Sequence, residues 1–110
     1  MKPLWPSHYA PPGRRCPAVD LVEITARAFL TTSDVLRSGD RNKRLTHARS
    51  IAANALRQRS LSYVKIGRML GGRDHSTMIH ACAMLPYYLA RYPELVPVND
   101  RVLMAARRVA

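Results

Sequence analysis

Apolar residues after position 17 recur at the spacing of amphipathic helices, and no stretch has a convincing strand pattern. The apolar side of the first predicted helix is formed by Val19, Leu21, Val22, Ala26, Ala28 and Phe29. This helix is predicted to end near Leu30, and Thr32-Ser33-Asp34 then caps a short helix that runs through Arg37. The pattern therefore predicts an all-α chain.

The second half of the chain continues the helical spacing. A third helix is predicted from about Thr46 to Arg59, and a fourth from Tyr63 to Leu70 with Ser62 as its cap. A fifth begins after Asp74, and a last one runs from Asn99 to about Arg108. We predict a bundle of five to six helices, whose expected buried residues in these segments are Ile51, Ala52, Ala55, Leu56, Val64, Ile66, Met69, Leu70, Met78, Ile79, Cys82, Leu85, Val102, Leu103 and Ala106.

Proline marks the domain organisation. Five of the eight prolines stand in residues 1–17, which blocks regular helix there and predicts an arm before a single domain over residues 18–110. Trp5 and Tyr9 are the side chains that could dock this arm. Pro86 falls inside the fifth predicted helix, where we expect a kink or a restart.

The charge is strongly positive and unevenly distributed. The net charge is +11, from 18 Lys and Arg against 7 Asp and Glu. Ten basic residues lie from Arg37 to Arg73, and Asp40 is the acid among them. Such density is typical of a phosphate-binding surface, although a merely solvated basic face is the alternative.

Several classes of protein are not indicated. Cys16 and Cys82 do not make a disulfide framework, and the N-terminus lacks the apolar segment of a signal peptide, so a cytoplasmic, nucleoid-associated location is expected. The seven acids form no catalytic arrangement, so we expect no enzyme. No metal or cofactor is expected, because His80 lies round the helix from His75 and Cys82 and no second ligand pair exists.

The most informative stretch is Gly-Gly-Arg-Asp-His-Ser-Thr at residues 71–77. The glycine pair can end one helix with positive φ, and Asp74 can cap the next. A helix that opens with small polar side chains on a basic protein predicts a DNA-binding helix-turn-helix. A plain helical hairpin is the alternative for the glycine pair alone.

The run Ile-Gly-Arg-Met-Leu-Gly-Gly-Arg-Asp-His-Ser-Thr-Met-Ile-His-Ala at residues 66–81 resembles the signature of domain IV, the C-terminal DNA-binding domain of the bacterial replication initiator DnaA. Residues 48–52 are similar to the family's Ala/Pro-Arg-Gln-Ile-Ala, and residues 19–36 to its first two helices. The resemblance covers about residues 18–90 and implies a helix-turn-helix bundle.

The resemblance implies a helix in the major groove and an upstream basic loop in the adjacent minor groove. The implied base contacts are Asp74, His75 and Ser76. A carboxylate can accept from a cytosine amino group, an imidazole can bond at a base edge, and a small hydroxyl fits near a thymine methyl. The implied phosphate contacts are Arg73, Thr77 and Arg49. The minor-groove cation is implied to be one of Arg41, Lys43 and Arg44.

The chain also departs from the family pattern. The segment from Arg49 to Ile66 is about one residue shorter than usual, which leaves open which loop cation enters the minor groove. Lys65, in a Tyr-Val-Lys run where the family has Leu-Pro-Glu, adds a candidate phosphate contact. Ser76 replaces the commoner Thr and lacks its methyl group. The expected target is a DnaA box of the TTATNCACA type or a drifted relative.

The ATPase that accompanies this domain in DnaA requires a Gly-x-x-x-x-Gly-Lys-Ser/Thr loop, which this sequence lacks. We therefore expect a separate small protein that binds double-stranded DNA as a monomer and regulates replication initiation or transcription. The alternative is a protein-interaction module with a degenerate domain-IV fold, which binds DnaA or another regulator instead of DNA.

Overall fold

Six helices make up the part of the chain that the computed structural model describes, residues 18–107 apart from the side chain of Val19. Their bounds are α1 Ala18–Ala28, α2 Ser33–Arg37, α3 Lys43–Gln58, α4 Tyr63–Met69, α5 His75–Arg91 and α6 Leu95–Arg107. These residues contain no strand, so the predicted all-α bundle is confirmed. Every helix among them is too short or too polar to cross a membrane.

The predicted Pro-rich arm over residues 1–17, with Trp5, Tyr9 and Cys16, lies outside the described residues. So do residues 108–110, where the last helix was predicted to end. The arm and the domain boundary at residue 18 therefore stay predictions.

Side-chain caps begin the helices where the sequence places small polar residues. The hydroxyl of Thr32 accepts from the amide of Val35 at 3.3 Å, and that of Ser62 accepts from the amide of Lys65 at 3.2 Å. Each bond satisfies one of the amides that have no partner inside a helix. The predicted starts of α2 and α4 are confirmed.

Helix α3 begins three residues earlier than predicted. The side-chain oxygen of Asn42 accepts from the amide of Leu45 at 2.9 Å and caps the helix, so Lys43 and Arg44 stand in its first turn. The prediction that these two cations belong to the basic loop is wrong. The loop between α2 and α3 consists of residues 38–42, with Arg41 as its cation.

Proline has less effect on the helices than the sequence predicts. Helix α5 runs without a restart through Pro86, whose exposed ring removes one amide donor while Leu85 beside it is buried in the core. Helix α6 begins at Leu95, four residues before the predicted Asn99. Pro97 is tolerated there because the amides of a first helical turn have no partner within the helix.

Helix α3 lies at the centre of the bundle and packs against α1, α5 and α6. Its Ile51, Ala52, Ala55 and Leu56 are fully buried, as predicted from their spacing. The largest of the other side chains with almost no exposure are Leu21, Ile24, Leu36, Ile66, Leu70, Met78, Val22 and Val102. Several of these predicted core positions hold α4 and α5 against α3 and thereby fix the segment that carries the glycine pair.

Two residues predicted to be buried are exposed. Val64 has 49% and Ile79 has 45% of its surface accessible. Met78 and Leu85, seven residues apart, share the buried face of α5, and Ile79 lies about 100° round the helix from Met78. An Asp in place of Ile79 would therefore put its charge at the surface and not in the core.

His47 is a buried titratable group of α3. It is 7% exposed, and its ring lies 4.6 Å from the ring of Tyr88 and 4.8 Å from that of Tyr92. Burial lowers the pKa of His47 below its ordinary value, Lys43 lowers it further, and Glu94 opposes them. The folded protein therefore favours the neutral imidazole.

We expect the free energy of unfolding to fall from about pH 7 to about pH 5 more steeply in the wild type than in His47→Gln. The unfolded chain protonates His47 first as the pH falls, because its pKa there is higher. The contribution of neutral His47 to the free energy of unfolding is thus complete above the pKa of the unfolded chain. It is lost as the pH falls through the pKa of the folded protein. Urea unfolding at a series of pH values measures both slopes, and equal slopes would contradict the prediction.

Candidate nucleic-acid interface

The turn between α4 and α5, residues 70–74, is tight and depends on glycine. The carbonyl of Gly67 accepts from the amides of Gly72 and Arg73, both at 2.9 Å. Gly71 and Gly72 have φ of +90° and +80°, a region that side chains with a Cβ rarely adopt. The predicted helix-turn-helix is confirmed, and the turn sets where the N-terminus of α5 points.

Asp74 caps α5, as predicted, and organises the side chains around it. Its carboxylate accepts from the amide of Ser76 at 3.0 Å and from the Ser76 hydroxyl. Nδ1 of His75 lies 3.6 Å from its other oxygen. The hydrogen bond from the Ser76 side chain is the main reason that the pKa of Asp74 lies below its usual value. The carboxylate is thus held ionised and oriented at the start of the helix.

The structure brings the predicted base-contact residues together on an open surface. The side chains of Asp74 and His75 are 63% and 58% exposed, and Ser76 and Thr77 are exposed beside them. The first amides of a helix carry partial positive charge and suit contact with phosphate. This end of α5 therefore offers an acceptor, an imidazole and hydroxyls without any rearrangement of the fold.

A groove of about 520 Å³ lies beside this surface, between the α2–α3 loop, α3 and α5. Arg41 lines it from the loop, Thr46 from α3, and Thr77 and His80 from α5. His80 is exposed here. Its spacing of three from Thr77 was the signal available in the sequence, because such residues share a helix face.

The three cations proposed for the minor groove have different surroundings. Arg41 is exposed and lines the groove. The ammonium of Lys43 lies 5.1 Å from the centre of the Tyr92 ring, and the guanidinium of Arg44 donates to the carbonyl of Phe29 at the end of α1. Arg41 is the one that the α2–α3 loop itself presents at the groove.

Of the predicted phosphate contacts, Thr77 and Lys65 are exposed, whereas Arg49 and Arg73 point inward. Arg49 is 7% exposed, and its Nε donates to the carbonyl of Leu36 at 2.8 Å. Arg73 donates through Nη2 to the carbonyl of Ser38 at 2.6 Å. Burial lowers the pKa of both guanidinium groups. Their contact with phosphate stays a prediction, and the structure gives them an internal role that sequence reasoning missed.

A glycine turn, a capped helix whose exposed N-terminus carries polar side chains, and an adjacent basic groove together define a DNA-binding helix-turn-helix domain. The family model for the bacterial DnaA protein helix-turn-helix matches residues 19–84. This chain belongs to that family, which confirms the resemblance seen in the sequence.

The curated relatives of this chain are DnaA proteins. The chromosomal replication initiator protein DnaA of Lachnoclostridium phytofermentans is 35% identical over 75 residues, which are 66% of this chain and 17% of that protein. The DnaA proteins of Corynebacterium aurimucosum and Bifidobacterium animalis subsp. lactis are 38% and 39% identical over 69 and 64 residues, 62% and 57% of this chain. The matched region is 13% and 11% of those two proteins, so the chain spans a small part of the relatives' length. No solved structure matches the chain.

Proposed function

We propose that this protein binds double-stranded DNA sequence-specifically at DnaA-box-like sites, and that it regulates replication initiation or transcription through this binding. The observation that carries the proposal is the exposed N-terminus of α5, where Asp74, His75 and Ser76 stand together beside a basic groove. The relatives are named chromosomal replication initiators, which favours a target related to theirs.

The first turn of α5 enters the major groove in this proposal. His75 bonds at a base edge, and the carboxylate of Asp74 accepts from a cytosine amino group with the oxygen that the Ser76 amide leaves free. The hydroxyl of Ser76 can turn from Asp74 toward a base or a thymine methyl, since its bond to Asp74 is on the exposed surface. The target would then contain adjacent C·G and A·T pairs, as the CACA half of the expected box does.

The groove places further contacts along the DNA backbone. Arg41 reaches the minor groove from the α2–α3 loop, and Thr77 and His80 approach the phosphates between the two grooves. Lys65, exposed in the first turn of α4, makes a further phosphate contact. The exposed cations supply long-range attraction to any duplex, and the α5 residues supply the preference for one DNA sequence.

Fluorescence anisotropy tests the proposal. The 110-residue chain is titrated into a labelled duplex that contains TTATNCACA with N fixed, and into a duplex of the same composition with the site scrambled. We expect tighter binding to the site by about a thousandfold at physiological salt. Equal affinity for both duplexes would overturn the proposed specificity. Selection from a random duplex pool then gives the preferred sequence, and a motif unrelated to the DnaA box would overturn the proposed target.

Replacing Arg41 with Ala should weaken binding to the site and to the scrambled duplex by similar factors. The slope of log K against log salt should fall in magnitude by about 1, because one phosphate-region cation is lost. Arg107→Ala, which removes an exposed cation at the end of α6, is the matched control and should leave the slope unchanged. An unchanged slope in Arg41→Ala would show that this residue does not contact the DNA.

A further inference from the structure

A buried guanidinium group, that of Arg49, and a half-buried one, that of Arg73, join the α2–α3 loop to the α4–α5 turn. Arg49 extends from α3 under the loop, where Nε donates to the carbonyl of Leu36 at 2.8 Å. Its Nη1 donates to the carbonyl of Asp40 at 2.7 Å, and Nη2 to that of Ser38 at 3.0 Å. One side chain therefore bonds to the carbonyl of Leu36 in α2 and to the carbonyls of Ser38 and Asp40 in the loop, which has no helical hydrogen bonds of its own.

Arg73 reaches the same loop from the opposite side. Its Nη2 donates to the carbonyl of Ser38 at 2.6 Å, and its Nη1 donates to the carbonyl of Leu70 and lies 3.4 Å from that of Arg37. The Ser38 carbonyl thus accepts from two guanidinium groups, one from α3 and one from the turn. Arg37, at the end of α2, donates in turn to the end of α4: its Nε bonds to the carbonyl of Met69 at 3.0 Å.

The backbones themselves meet at this point. A Cβ at Gly71 would lie 2.9 Å from the carbonyl carbon of Arg37 and closer still to its oxygen. The turn before α5 and the end of α2 are therefore in direct contact, with no space for a side chain between them.

Stability alone is a weak reason for this arrangement. Two guanidinium groups are withdrawn from water side by side, and their mutual repulsion adds to the lowering of the pKa of Arg49. Burial of charge against neutral carbonyls is costly compared with an apolar contact of the same volume. What the arrangement provides is a fixed distance between Arg41, one residue beyond Asp40, and His75, two residues beyond Arg73.

We infer that Arg49 and Arg73 are positioning residues for DNA recognition: together they hold the α2–α3 loop at a set separation from the N-terminus of α5. This inference rests on the proposed function, in which the loop and α5 occupy adjacent grooves of one duplex. A loop that is already ordered adds its contact without losing further conformational entropy on binding. Without the two guanidinium groups, Arg41 and α5 would bind as two loosely linked parts.

The variant Arg49→Lys tests the inference, since it keeps the charge and removes the planar set of donors. Affinity for the TTATNCACA duplex should fall about tenfold, with unchanged cooperative unfolding as the check on the fold. A direct phosphate contact predicts instead that Lys retains most of the affinity, and that result would overturn the inference. Arg107→Lys is the matched control and should bind as the wild type does.

A double-mutant cycle separates positioning from contact. If Arg49 acts through the loop, Arg41→Ala should weaken Arg49→Lys far less than it weakens the wild type. Additive losses would overturn the inference. The same cycle with Arg73→Lys keeps the test available if Arg49→Lys unfolds, and additive losses there count against it equally.

Hydrogen exchange of the free protein provides a readout that does not depend on DNA. The amides of residues 39–41 should exchange faster in Arg49→Lys, while those of the α3 core keep their wild-type rates. Unchanged exchange in the loop would overturn the inference. If the wild type showed no preference for the DnaA box, the proposed function would fail, whereas faster loop exchange would still support the link between loop and turn.

Discussion

Replacing Gly71 with Ala is expected to lower the free energy of unfolding by on the order of 3 kcal/mol. The φ of +90° disfavours any residue with a Cβ, and that Cβ would collide with the backbone of Arg37, 2.9 Å from its carbonyl carbon. Neither backbone can move freely, because Arg37 and Arg73 cross-link the same region through hydrogen bonds. Urea unfolding followed by circular dichroism measures the loss.

The other glycines provide matched controls. Gly72 has φ of +80° and nothing within 4 Å of a Cβ, so Gly72→Ala should show the conformational strain alone, about 1–2 kcal/mol. Gly39 has neither positive φ nor a neighbour within 4 Å, and Gly39→Ala should change stability by less than about 0.5 kcal/mol. A loss in Gly71→Ala no greater than that in Gly72→Ala would contradict the close approach of turn and α2.

Replacing His75 with Ala is expected to remove about 1–3 kcal/mol of preference for the DnaA-box duplex and to leave binding to the scrambled duplex nearly intact. The imidazole is 58% exposed and makes no core contact that the fold requires. Its loss should therefore affect base readout while the cations that attract any duplex remain. Anisotropy with the two duplexes at one salt concentration gives the preference as a ratio of affinities.

His80→Ala is the control for this experiment. His80 is also exposed on α5, but it lines the groove toward the expected phosphates, so its loss should weaken both duplexes by a similar factor. A His75→Ala variant that behaves in the same way would show that His75 does not read bases. If His75→Ala kept the wild-type preference for the DnaA-box duplex over the scrambled duplex, the specificity would lie elsewhere on α5.

These expectations depend on a distinction among basic residues that the sequence does not make. The sequence contains ten basic residues from Arg37 to Arg73, and charge density alone indicates phosphate binding for all of them. In the structure, Arg41 and Lys65 are exposed, whereas Arg49 and Arg73 donate to backbone carbonyls. Side-chain direction follows from packing between helices that are distant in sequence, which no local pattern contains.

The helix ends were predicted correctly where they depend on residues close together in the chain. Thr32, Ser62 and Asp74 were recognisable as caps because each bonds to an amide two or three residues away. Asn42 has the same chemistry and was missed because it lies in a run of basic polar residues that resembles a loop. Pro86 was given too large an effect, because a helix packed on α3 tolerates the loss of one hydrogen bond.

By itself, the sequence determined the all-α class, the glycine turn, the cap of α5 and the family, because each depends on residues close together in the chain. The tertiary structure alone decided that Ile79 is exposed, that Arg41 is the cation of the α2–α3 loop, and that Arg49 and Arg73 face inward. The physical reason is distance along the chain. Ser38 of the loop and Arg73 of the turn are 35 residues apart, and their contact exists only once α3 has packed against α5.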